Sequence, residues 1–117
     1  MRIQVTFDGT TLEAGLDDSR TARDFFAKLP LTLTLTDFHR TEKISVLPAE
    51  LSTVDAPAGT GARAGDLAYY APWGNLAVFY RDSGYASGLV KLGHIDSGIE
   101  AVAEQRDDFT VTIEAAD

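Results

Sequence analysis

The run Leu76-Ala77-Val78-Phe79-Tyr80 is apolar at successive positions, so a strand built from it must be covered on both faces. Such a strand is either central in a sheet or part of a barrel wall, with an interior on one side and a helix packed outside. Just before it stand Leu67-Ala68-Tyr69-Tyr70-Ala71 and the turn string Pro72-Trp73-Gly74-Asn75, so the two runs read as neighbouring strands. Residues 65–80 hold the only Trp, the only Asn and three of the four Tyr. Tyr69 and Tyr70 must face opposite ways in a strand, which assigns one to a core and leaves the other for a groove. Leu67, Leu76 and Val78 read as core, and Asn75 as a residue that supplies turn geometry.

The remaining segments supply more short strands. Ile3, Val5 and Phe7 alternate with Arg2, Gln4 and Thr6, the period of a half-buried strand. Asp8-Gly9 predicts a hairpin turn, with residues 10–14 pairing back. Asp17-Asp18-Ser19 offer N-caps to a helix whose apolar face is Ala22, Phe25, Phe26 and Leu29. Pro30 stops that helix because it lacks an N–H and its ring opposes continuation. Residues 31–36 alternate leucine and threonine as a strand. A further strand is expected over residues 38–46 after a bend, and one helical turn over 47–51.

Residues 53–64 and 81–88 read as surface loops. Gly59-Thr60-Gly61 in the first lacks the third glycine of a dinucleotide fingerprint, since Ala64 stands there. Residues 89–95 form a strand. Ser97 and Glu100 have capping-box spacing ahead of a short helix with Ile99, Val102 and Ala103 on its apolar edge. Phe109, Val111 and Ile113 alternate in a last strand. About eight strands with two helices predict a mainly β fold, a closed or nearly closed antiparallel barrel whose open ends the helices cap.

At 117 residues the chain is expected to be a single domain spanning 1–117. Ten basic residues are scattered among eighteen acids, for a net charge of -8, with no basic stripe. That balance argues against nucleic acid and anionic membranes as partners. With no Cys there is no disulfide, thiol nucleophile or thiolate metal site. No signal-like or bilayer-length apolar run is present, so the expected location is cytoplasmic.

Several strings resemble the cyclophilins. Thr21-Ala22-Arg23-Asp24-Phe25-Phe26 is similar to the start of their first helix, Phe38-His39-Arg40 repeats the string whose Arg is catalytic in prolyl isomerases, and residues 67–80 resemble the strands around their Asn-rich turn. Leu89-Val90-Lys91-Leu92-Gly93-His94-Ile95, followed by Gly98-Ile99-Glu100-Ala101-Val102, resembles their closing strand and helix. The resemblance to the small bacterial cyclophilin-like proteins of unassigned function is stronger, especially over residues 29–35, 41–44 and 69–80, and covers nearly the whole chain. It implies a cyclophilin-like closed antiparallel β-barrel of about eight strands with two capping helices. The cyclophilin Phe-Met-x-Gln string is replaced here by Ser45-Val46-Leu47-Pro48-Ala49-Glu50, and the late-loop Trp and His have no counterpart before Leu89.

The expected role is a binding module that holds a peptide or small molecule at an aromatic groove. Its ligand contacts would be Phe38, Tyr70, Trp73, Asn75 and Phe79. The alternatives are a peptidyl-prolyl isomerase and a non-catalytic assembly domain. In the isomerase, Arg40 would donate to the prolyl nitrogen as amide resonance is lost. His39 and His94, the only histidines, lack ligand spacing and read as structural, so no metal and no cofactor is expected. Ser87 lies in Gly84-Tyr85-Ala86-Ser87-Gly88, which has the wrong spacing for a nucleophile elbow. Asp17-Asp18 and Asp107-Asp108 read as caps and solvated turns. Oligomeric state is left open.

Overall fold

The computed structural model describes residues 1–116. Its elements are β1 (Arg2–Phe7), β2 (Thr10–Leu16), α1 (Arg20–Ala27), β3 (Leu31–Phe38), β4 (Glu42–Val46), β5 (Gly59–Ala62), β6 (Asp66–Tyr70), β7 (Asn75–Phe79), β8 (Ser83–Ser87), β9 (Leu89–Ile95), α2 (Ile99–Ala103) and β10 (Phe109–Ala115). Eight strands close into a barrel in the order β1-β10-β3-β4-β7-β6-β9-β2, with β2 returning to β1. Every neighbouring pair is antiparallel. Strands β5 and β8 pair only with each other, as a ribbon outside the barrel.

The alternation read from the sequence sets which face turns inward. Val5 stands opposite Leu12 on one side and Ile113 on the other, and Val111 opposite Leu33, all buried. The helices fill the ends. Ala22 and Phe25 of α1 and Val102 of α2 belong to the same buried cluster as the barrel interior. Ser19 caps α1 by accepting from the Ala22 N–H at 3.1 Å. The segment after β4 is pinned to α1, because the Thr21 hydroxyl donates to the Ser52 carbonyl and Asp24 accepts the Ser52 N–H. Leu47 and Leu51 from this segment complete the plug, and the Leu51 N–H donates to the buried Tyr69 hydroxyl at 3.2 Å.

Strand β7 is covered on both faces, as its apolar run requires, but its outer cover is the ribbon and not a helix. Ala77 and Phe79 pack outside the barrel wall with Ala68, Leu89 and Ala62 of β5. Both ribbon strands fall where loops are expected. Glycine explains the weak signal: a Cβ at Gly59 would lie 2.4 Å from the Ala86 carbonyl oxygen, so the close approach of β5 to β8 excludes a β-branched residue at that position, where it would help announce a strand.

Three local expectations also change. Phe38 ends β3, and the chain turns at His39 and Arg40, so the expected strand over residues 38–46 begins only at Glu42. Residues 47–51 carry no helical turn, because their leucines are committed to the barrel end. The Ser97 capping box does not form: Gly98, at φ 89°, is the N-cap of α2 and no side chain caps it.

Candidate functional site

The outer faces of β3, β4, β7 and β6 form a grid set by their register. Phe38 stands opposite Glu42, and Glu42 opposite Phe79. In the next row Thr36, Ile44, Ala77 and Ala68 align, and beyond it Val46, Asn75, Tyr70 and Leu89. After Tyr70 the chain turns, with Gly74 at φ 67° and its N–H donating to the Tyr70 carbonyl. This turn folds Trp73 back over the grid. Its ring meets Tyr70 at 5.2 Å and Phe38 at 5.5 Å between centroids, both edge-on, the geometry that aromatic quadrupoles favour. The ring is still 55% exposed.

Under this ring lies a cleft of about 390 Å³, lined by Thr34, Thr36, Ile44, Ser45, Val46, Trp73 and Asn75. Asn75 does not serve the turn, where Gly74 takes the positive φ; it opens β7 and is 2% exposed. Its Oδ1 is buried with no hydrogen-bond partner, the one such side-chain atom among the described residues. An orphaned buried acceptor costs about 1–3 kcal/mol, so a fold keeps one only where something else compensates.

A second cleft, of about 680 Å³, lies at the barrel end beside the β3–β4 turn, lined by Asp37, Arg40, Lys43, Tyr80, Arg81, Ala103, Gln105 and Arg106. Lys43 points inward from β4 with a side chain 3% exposed. Its ammonium donates to the Gln105 carbonyl, lies 3.3 Å from Asp37 Oδ1 and stands 5.5 Å from the Tyr80 ring centre. The Tyr80 hydroxyl donates to Asp37 at 2.6 Å. Burial, then this bond to a carboxylate, pushes the Tyr80 hydroxyl up to about 12. Burial is the largest single influence on Asp37 and raises it. The Tyr80 hydroxyl, the Arg40 backbone N–H and Lys43 together outweigh it and leave the carboxyl below its ordinary value. Glu42 is raised, by burial first and by Asp37 second.

The structure thus puts Trp73 and Asn75 on the lining of one cleft, sets Phe38 and Tyr70 against the Trp73 ring, and puts Arg40 on the other cleft. Phe79 is 2% exposed and packs in the layer under the ribbon, so it does not line the opening. His39 lies against the Phe38 ring, and His94 is hydrogen-bonded to Asp66 through Nδ1 at 2.8 Å. Among the described residues no group of three or more His, Cys, Asp or Glu is placed to hold a metal ion, and no helix is long and apolar enough to cross a membrane. Sequence reasoning missed Thr34, Thr36, Ile44 and Val46 because outward residues of a strand carry no mark of what folds over them. It missed Arg81 and Arg106 because they come from separate segments.

The family model described as "Cyclophilin-like family" matches residues 5–114. Among solved structures, the chain is similar to a hypothetical protein of Archaeoglobus fulgidus determined in solution, at 22% identity and a TM-score of 0.71, over 99% of this chain and 95% of that one. At that identity the likeness concerns the fold. No curated protein matches.

Proposed function

This chain belongs to the cyclophilin-like family, and from that premise we propose that its barrel is a binding module holding a peptide segment or a small molecule in the cleft beneath Trp73. The observation that carries this reading is the orphaned Oδ1 of Asn75. A ligand N–H or O–H that reached it would supply the hydrogen bond this acceptor lacks within the fold. Phe38, Tyr70 and Trp73 supply aromatic area, and Ile44 and Val46 an apolar floor.

A prolyl isomerase acting through Arg40 needs a guanidinium beside an apolar proline pocket. Arg40 lines the charged cleft, away from the Trp73 opening, and this separation favours binding over isomerisation.

The test is a titration of metabolites and proline-containing peptides against Trp73 fluorescence, in wild type and in Asn75→Leu. Saturable quenching or enhancement in wild type, weakened at least tenfold in Asn75→Leu, is the expected result. A Trp73 signal that answers none of the ligands would count against the proposal. A protease-coupled isomerisation assay of wild type and Arg40→Ala checks the enzyme reading, which requires catalysis above background that falls in the variant. A molar mass above the monomer's that returns to it in Trp73→Ala would instead assign the aromatic surface to self-association.

A further inference from the structure

We propose that the cleft beside the β3–β4 turn binds a small, multiply charged oxyanion of the phosphate or polycarboxylate kind. Four of the ten basic residues, Arg40, Lys43, Arg81 and Arg106, line it against one acid, Asp37. On a chain of net charge -8, that sign is the reverse of the surroundings.

Asp37 does not neutralise the arginines. Its Oδ1 takes the Tyr80 hydroxyl and lies beside Lys43, and its Oδ2 accepts the Arg40 backbone N–H at 3.1 Å. The carboxylate is matched to Lys43. Arg40, Arg81 and Arg106 are left with no carboxylate at ion-pair distance among the described residues.

The backbone holds these three arginines on one opening. Arg40 sits at φ 53° in the turn closed by the Thr41 N–H donating to the Phe38 carbonyl. The Thr41 carbonyl accepts from the N–H groups of both Tyr80 and Arg81, at 3.1 and 3.3 Å, which sets Arg81 beside that turn. Lys43 grips the Gln105 carbonyl just beyond α2, which brings in the next residue, Arg106.

Guanidinium forks match the paired oxygens of phosphate and carboxylate. A cleft of about 680 Å³ is of small-molecule size, within the range of roughly 300–1,000 Å³. A phosphate monoester carries about -1.5 to -2 at neutral pH, so a diphosphate or tricarboxylate comes nearer to balancing three arginines.

Calorimetric titration at low salt with pyrophosphate, and separately with citrate, tests the site. One-site saturable binding is expected. It should weaken at least tenfold in Arg40→Asn/Arg81→Gln/Arg106→Gln, where Asn suits the positive φ. It should persist in Arg63→Gln, an exposed arginine outside the cleft, and in Trp73→Ala, which separates this site from the aromatic one. Backbone amide shifts of the wild type on adding pyrophosphate should cluster at residues 37–43, 80–81 and 103–106, a readout that needs no variant. Tighter pyrophosphate assigns a phosphate ligand, and tighter citrate a polycarboxylate. Absence of saturable binding to millimolar concentration, equal affinity in the triple variant, or an equal loss in Arg63→Gln overturns the proposal.

Discussion

The two clefts differ in where their unmet bonding lies. Beneath Trp73 the walls are uncharged, mixing Ile44, Val46 and Trp73 with hydroxyl side chains, and one buried acceptor, Asn75 Oδ1, has no partner. Beside the β3–β4 turn the buried Lys43 bonds to the more open Asp37, which in turn accepts from the half-buried Tyr80, and the unanswered charges are exposed arginines. An unmet group inside the fold lowers stability, whereas one at the surface is solvated and costs little. Stability measurements should therefore register the first cleft's deficit, and binding measurements alone the second's.

The largest expected effect would break the comparison if it failed. Lys43→Met should destabilise the fold by about 2 kcal/mol, because it removes the charge-assisted hydrogen bond from a buried ammonium to the Gln105 carbonyl. Lys43→Met/Asp37→Asn should recover part of that loss, both read by urea unfolding. A Lys43→Met variant within about 0.5 kcal/mol of wild type would mean that the charged cleft's floor is no structural network. Next in size, Asn75→Leu, near in shape and without the orphan, should raise stability by about 1–2 kcal/mol. A loss of that size would show that Asn75 is satisfied in solution.

The pH dependence sharpens the contrast, since only the charged cleft holds the Tyr80–Asp37 pair. Tyr80 is raised from 10.0 to about 12, so its contribution is fully present below pH 10 and is lost as pH rises from 10 to 12. Asp37 is lowered from 3.8, so its contribution is present above pH 3.8 and is lost as pH falls through its depressed value. In Tyr80→Phe the alkaline loss attributable to this residue should vanish, and the acid loss shrink, in unfolding curves collected across pH. The smallest effect belongs to Trp73→Ala. With Trp73 55% exposed, the change should stay within about 0.5 kcal/mol in stability while weakening ligand binding read by calorimetry, since the variant has no other Trp to report it.

The barrel was legible because its strands announce themselves. Leucine–threonine alternation in β3 and isoleucine–valine alternation in β1 dictate an inside and an outside, and the two-faced run of β7 demands a second layer. The identity of that layer was hidden, because Gly59-Thr60-Gly61-Ala62 and Ser83-Gly84-Tyr85-Ala86-Ser87 carry turn chemistry and pair as strands only against each other. The site was half legible. Aromatic concentration marked Tyr70 and Trp73, and the Phe38-His39-Arg40 string brought in Phe38 but joined Arg40 to it by proximity in the chain. The two left-handed residues His39 and Arg40 carry the arginine around to the other cleft. No glycine marks that turn; the Asp37 carboxylate that receives the Arg40 N–H supports it instead.

Closure of the cylinder has a consequence for how these molecules meet in a crowded solution. A closed barrel has no free edge to template another chain, so among the described residues the unpaired strand edges belong to β5 and β8. Those strands are four and five residues long, rich in glycine, and irregular in register between Thr60 and Ala62. Short, kinked, glycine-rich edges are poor seeds for edge-to-edge growth, so aggregation through strand addition meets its weakest template where the protein is most open to it.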